Sequence, residues 1–384
     1  MLDASAYEGR EQTYVKHFVL EKYLERVAYN ILSFSNEFVY VDGFSGPWKS
    51  KADRFEDTSF HIATETLREI RDGLKQPPRR KNVSCRCMFI EKEAKPYADL
   101  SKVVGEIKDI PIELIHGSFE DNVQKICDFV GQKFSLIFID PTGWQGFPLD
   151  KITPLLNLRG EVLINFMSDF INRFLEDPRP EIAATFNALF GDEWFDEWKL
   201  LTEGGLSREA AAIEVYKRRL KQAGNFEYVT STRILKPTAD RSYFYLIYGT
   251  RHWKGIQEFR AVEKKTVDEQ ERVRNAAKYE SRVASSGQES MFGREVMEFS
   301  NKSYQDERET QLQRGRDSLD KVLSEHPKGI LYENLLGHVL ETPLVWESDL
   351  KTWIAEKRKL REISIPDWTA RQRLPKKGNT IVPK

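Results

Sequence analysis

Residues 37–50, EFVYVDGFSGPWKS, decide the fold. The apolar run FVYV has the composition of a strand; it stops at Asp42 and breaks into a loop that holds Gly43 and Gly46. Working outward, apolar residues at helical spacing predict a lead-in helix over 13–32, and a second helix over 59–74, capped by Asp57 or Thr58, follows the glycine loop. Further strands are expected at 83–91, 110–117, 134–141 and 162–166, with helices between the second and third and between the third and fourth. FSLIFIDP and VLINF are apolar throughout, so both faces of those strands must be covered. Five short apolar strands separated by helical segments predict an α/β fold, a parallel sheet with helices on both sides.

Composition sets the limits around that sheet. The chain has 384 residues, 40% hydrophobic and 31% charged, enough for one large domain with an appendage or for two or three smaller ones. The N-terminal segment lacks the basic start and apolar stretch of a signal peptide, and no run is long enough for a membrane helix, so a cytoplasmic protein without membrane contact is expected. Three cysteines, Cys85, Cys87 and Cys127, give neither a disulfide framework nor a zinc set, and the six histidines have no metal-ligand spacing, so no metal is expected. A net charge of -1 excludes a uniformly basic nucleic-acid coat but leaves room for local patches.

In open α/β sheets, ligands bind beyond the carboxyl ends of the strands. Three of these ends carry acids, Asp42, Glu91 and Asp140. A dinucleotide needs GxGxxG opening directly into a helix; here the pattern is DGxxG, the helix starts about a dozen residues later, and a carboxylate faces the ligand. A negative group there repels a pyrophosphate and suits a sulfonium or an amine. The segment Asp42-Gly43-Phe44-Ser45-Gly46 therefore resembles the first motif of S-adenosylmethionine-dependent methyltransferases. On that resemblance Glu91 accepts hydrogen bonds from the ribose and Ser118-Phe119 borders the adenine. The alternative is an ordinary turn with glycines at positive φ. Asp140-Pro141-Thr142-Gly143-Trp144 partly matches the Asp/Asn-Pro-Pro-aromatic tetrapeptide of amino methyltransferases, in which the acid or amide holds the reacting nitrogen and the aromatic stacks on a flipped base. Its proline is not doubled and its aromatic comes one residue late. The alternative is that Asp140 caps a turn and Trp144 packs on a helix.

Taken in order, KHFVLEKYL, FVYVDGFSGPW, IEKE, HGSFEDNV, LIFIDPTGWQG and VLINFMSDFINRF resemble the three-Cys-motif partner protein family over about residues 10–262. The resemblance implies a bacterial or phage-associated chain with a Rossmann-like methyltransferase domain of seven strands, and a neighbouring partner protein that carries the three cysteines. It implies fold and partner more firmly than activity.

The expected organisation is a methyltransferase-like domain at 1–262 with a helical insertion at about 168–224, a charged helical linker at 263–315 containing an SSGQES break, and a winged helix-turn-helix at 316–384. Two strands at 226–235 and 242–250 complete the seven-stranded sheet. The insertion's cluster of acids with Trp194 and Trp198 reads either as substrate-facing or as helix packing. In the last module three helices precede a hairpin around KKGN, and nine Lys or Arg fall between 357 and 384. Lys357, Arg358, Lys359, Arg371, Arg373, Lys376 and Lys377 form the expected nucleic-acid face; solubilisation or protein contact is the alternative. Two functions follow as expectations: a methyltransferase acting on an amino group of nucleic acid, or a non-catalytic partner of a three-cysteine enzyme.

Overall fold

The computed structural model describes residues 2–46, 50, 55–79, 81–177, 179–286, 302–369 and 371–384. Residues 47–49 of the glycine loop and the SSGQES break beyond Ser286 lie outside these.

Within β1 (Glu37–Asp42), Phe38 and Tyr40 belong to one hydrophobic core and Val39 and Val41 to another. A strand alternates its side chains between faces, so an unbroken apolar run requires cover on both. On one face lie α1 (Glu11–Leu32), α2 (Ser59–Lys75) and, from the far end of the chain, α10 (Trp253–Ser286). The helices α4 (Val123–Val130), α5 (Leu149–Leu156), α7 (Pro180–Phe190), α8 (Trp194–Glu203) and α9 (Arg208–Ala223) cover the other. The remaining strands are β2 (Ser84–Glu91), β3 (Ile112–His116), β4 (Phe134–Ile139), β5 (Gly160–Phe166), β6 (Tyr228–Leu235) and β7 (Ser242–Thr250), with α3 (Ala94–Glu106) and the short α6 (Ser168–Phe174) between them. Their order is β3-β2-β1-β4-β5-β7-β6, with β7 antiparallel to both its neighbours. This is the α/β sheet of the Rossmann-like methyltransferase fold, with α6 to α9 as the helical insertion. Trp194 and Trp198 are buried in the insertion's core, so the acid-aromatic cluster is helix packing.

The strand order places a crossover at β1, where the chain first runs outward to β2 and β3 and then returns to β4 on the other side. Asp42 lies opposite both Phe89 and Phe138 in register, so the ends of β1, β2 and β4 open on one edge. That edge is the topological switch point at which such sheets bind ligands.

The C-terminal elements are α11 (Lys302–Glu325), β8 (Ile330–Leu331), α12 (Tyr332–Val339), α13 (Glu347–Lys359), β9 (Ile363–Ser364) and β10 (Thr380–Pro383). The three strands form a separate sheet, β8-β10-β9. The expected hairpin differs in its first strand: β9 precedes the IPDW segment, so a long connection separates it from the turn on KKGN, where the Asn379 amide donates to the Lys376 carbonyl (3.1 Å) just before β10. Pro366 and Pro375 help explain this, since proline cannot donate to a ladder.

Helix α10 and this module together cover the free edge of β6. The Val229 amide donates to Glu341 Oε1 (3.0 Å), the Leu235 amide to Gln270 Oε1 (2.9 Å), and Arg260 Nη1 donates to the Ser231 carbonyl (3.1 Å). Gly337 on α12 packs against Tyr228, and a β-carbon there would lie 2.4 Å from the ring. Helix α10 runs unbroken through residues 262 and 263 and carries Arg260 and Glu263, both fully buried, paired at 2.7 Å. Arg260 also donates to the Leu340 carbonyl (2.8 Å) and the Thr230 hydroxyl; Glu263 accepts from Thr232 (2.9 Å) and from the Leu344 amide (3.1 Å).

Candidate functional site

At the carboxyl edge of the sheet, Asp42 is fully buried. The Phe44 amide donates to its Oδ1 at 3.1 Å, a turn that bends the chain directly after the strand. Its Oδ2 makes no hydrogen bond of ordinary geometry with a described residue. Burial pushes the carboxyl up to about 6; the Ser59 hydroxyl and the Phe44 amide oppose the shift, and the charge of Asp140 adds to it. Tyr40, one turn of the pleat earlier, is buried beside the same carboxylates, which together with burial hold its phenol well above the ordinary range.

Asp140 follows β4, and both of its oxygens are engaged. The Asn165 side-chain amide donates to Oδ1 at 2.6 Å, and the Lys16 ammonium approaches Oδ2 to 2.5 Å. The lysine comes from α1 and its ammonium also lies 5.9 Å from the Phe244 ring centre. Asn165 Oδ1 and Ser168 Oγ, at and just beyond the end of β5, are buried without a hydrogen-bond partner among the described residues. Three oxygens without a hydrogen-bond partner among the described residues, on Asp42, Asn165 and Ser168, thus lie at the ends of β1 and β5, where an unsatisfied buried polar atom costs about 1–3 kcal/mol.

The structure gives the other expected residues distinct tasks. Ser45 is taken up by the main chain: its hydroxyl donates to the Asp42 carbonyl (2.9 Å) and accepts from the Ile90 amide (3.3 Å), tying the loop to β2. Gly43 is required by packing, because a β-carbon there would meet the Phe119 ring at 2.6 Å. Phe119 in turn packs on Phe44, ring centres 5.5 Å apart, so the two aromatics wall the glycine turn. Gly46 closes that turn and is half-buried. Glu91 is buried at the end of β2 and accepts the Glu93 amide at 2.6 Å. Ser118 is drawn away, its hydroxyl donating to Asp121 at 2.6 Å. Pro141 is buried, and Trp144 packs between Phe174 and Phe186, ring centres 5.0 and 5.7 Å away. Asp42 and Asp140 therefore come together with Lys16 and Asn165, Glu91 stands at the end of the neighbouring strand β2, and Trp144 belongs to the insertion's aromatic packing.

The basic residues of the last module divide in two. Lys357 is bridged to Asp320 (2.6 Å) and Glu362 (2.9 Å), Arg358 lies 4.1 Å over the Trp368 ring, and Lys377 lies 5.7 Å from the Trp253 ring. Lys359, Arg371, Arg373 and Lys376 are exposed and have no ion-pair partner among the described residues. A cleft of about 470 Å³ lies between β6 and helices α9 to α12; it is away from the strand ends, and most of its charges are mutually paired, as in Arg233–Glu307 (2.7 Å) and Arg274–Glu271 (2.9 Å). Among the described residues no group of His, Cys, Asp or Glu is arranged to hold a metal ion, and no helix is long and apolar enough to cross a membrane.

No protein-family profile matches the chain, and a comparison with characterised proteins finds no match. Three solved structures are similar to it in part. A Legionella pneumophila protein of family DUF519 has 10% identity over 61% of this chain and 85% of its own, at a TM-score of 0.35. Loganic acid methyltransferase with SAH has 10% identity over 80% and 91%, at 0.31. A Thermobifida fusca protein described as a methyltransferase by its structure's authors has 8% identity over 64% and 84%, at 0.33. Likenesses this distant carry no weight for activity, which rests on the residues of this chain.

Proposed function

We propose that the chain is an S-adenosylmethionine-dependent methyltransferase acting on an amino group in nucleic acid. The observation that carries the reading is the buried, half-satisfied carboxylate of Asp42 at the switch point, next to the engaged carboxylate of Asp140. A buried acid with no cation bonded to it among the described residues favours a positively charged ligand. S-adenosylmethionine would supply a methyl group on a sulfonium, open to displacement by a nitrogen. Asp42 would hold its cationic part and Glu91 its ribose hydroxyls, while Phe44 and Phe119 would form the apolar wall beside them. Asp140 would accept a hydrogen bond from the acceptor nitrogen, and Asn165 fixes the orientation of that carboxylate. Catalysis of this kind needs positioning more than acid-base chemistry.

Calorimetric titration with S-adenosylmethionine tests the reading. Binding is expected in the native chain, and Glu91→Ala should weaken it about tenfold or more, the loss of charge-assisted hydrogen bonds. Native protein that takes up no cofactor at millimolar concentration would exclude it.

In the C-terminal module, helices α11 to α13 and the sheet β8-β10-β9 support a winged-helix reading, and Lys359, Arg371, Arg373 and Lys376 support contact with phosphates. Arg371→Ala combined with Arg373→Ala should weaken nucleic-acid binding and lower its salt dependence by about one counterion per lost phosphate contact. An unchanged salt slope would assign this face to protein contact. A second reading has its own support: with Lys16 on Asp140 and Phe119 on Gly43, the site's groups are largely engaged within the chain. That suits a non-catalytic partner of a three-cysteine-motif protein, and methyl transfer to DNA, RNA or the partner in a tritium assay separates the two.

A further inference from the structure

We infer that Lys16 is a positioning residue that sets the charge balance of the site: by holding Asp140 in an ion pair, it leaves Asp42 as the uncompensated carboxylate that reads a cationic ligand. The inference rests on the cofactor reading above. It assigns a role to a residue on α1, far from the strand ends in sequence.

The geometry is specific. Lys16 and Asp140 side chains are 11% and 13% exposed, so water screens their attraction only weakly. Asn165 donates to the second oxygen of Asp140, so each oxygen has one donor within the chain and keeps a lone pair for a ligand. Around Asp42 stand Tyr40 on its own strand, Cys87 on β2, Ser59 on α2, the Phe44 amide and Ser45 of the loop, and Asp140 beyond β4. None of them is a cation. Lys16 is the charge that separates Asp140 from an open repulsion with Asp42.

Removing the ammonium leaves the half-buried carboxylate of Asp140 uncompensated near the buried one of Asp42, and two such neighbours resist ionising together. Asp42 would then keep its proton to higher pH. The readout is the ratio of affinities for S-adenosylmethionine, a sulfonium, and S-adenosylhomocysteine, its neutral thioether, measured by calorimetry across pH. In the native chain the ratio should rise as pH passes about 6, where Asp42 ionises, and then level off. Lys16→Met should move that midpoint up by about one pH unit, and Lys16→Arg should restore it. If Lys16→Met folds poorly, Lys16→Gln serves, and the break in thermal stability against pH of the ligand-free protein should move in the same direction. A uniform fall in affinity with an unmoved midpoint would overturn the inference and leave Lys16 a structural residue. Native protein that binds neither compound would overturn the cofactor reading and, with it, this one.

Discussion

Arg260→Ala should destabilise the chain by about 3–5 kcal/mol, the cost of leaving a buried charge without its partner. Arg260 is 1% exposed and Glu263 also 1%, and no water reaches either to replace a lost contact. The substitution removes the counter-charge of Glu263, whose carboxyl burial already pushes upward, and strips the Leu340 and Ser231 carbonyls of their donor. It therefore acts on the large sheet and on the C-terminal module at once. Denaturant unfolding reads the effect. Arg260→Met with Glu263→Met should recover much of the loss, since an apolar pair of similar volume has no charge to desolvate. A loss below about 1 kcal/mol in the single variant would mean that the pair contributes little to joining the two parts.

The second expected result concerns Asp42→Asn, which should make the ligand-free protein more stable at neutral pH while removing its preference for a sulfonium. The acid's pKa is raised in the folded state, from 3.8 to about 6. The folded chain thus holds this proton to higher pH than the unfolded chain. The associated stability is fully present below about 4 and is lost as pH rises through about 6. Two units at about 1.4 kcal/mol each make the loss on the order of 3 kcal/mol at pH 7. Asparagine keeps an oxygen for the Phe44 amide and carries no charge, so the variant should show no such decline. Melting curves at acid and neutral pH compare the two directly; a variant less stable than the native chain at pH 7 would show that the carboxylate is not under strain.

The strands of the large sheet were legible because both of their faces are covered, which leaves apolar runs such as FSLIFI with few alternatives. Asp42, Glu91 and Asp140 were legible because strand ends can be located from those runs. Lys16 was not, although a signal existed: it shares a helical face with Leu20 and Tyr23, both fully buried, and a lysine on a buried stripe needs a partner. The same holds for Arg260, in line with Ile256 and Val267 on a helix that the expected boundary between residues 262 and 263 cuts across. Composition averages over a helix, whereas burial acts on one side of it. Trp144 illustrates the opposite limit, since a motif position cannot say whether an aromatic ring faces a substrate or, as here, Phe174 and Phe186.

The cover on β6 has a colloidal consequence. An unprotected outer strand offers its amides and carbonyls to any other strand, and proteins that leave one bare tend to associate edge to edge. Here Glu341, Gln270 and Arg260 cap that strand from outside the sheet. Two of the three lie on α10 and the other just beyond α12, so a chain shortened before α11 would lose Glu341 and the α12 backbone that Gly337 lays on Tyr228. The last module thereby shares with α10 the cover that keeps the edge of β6 from pairing with strands of other molecules.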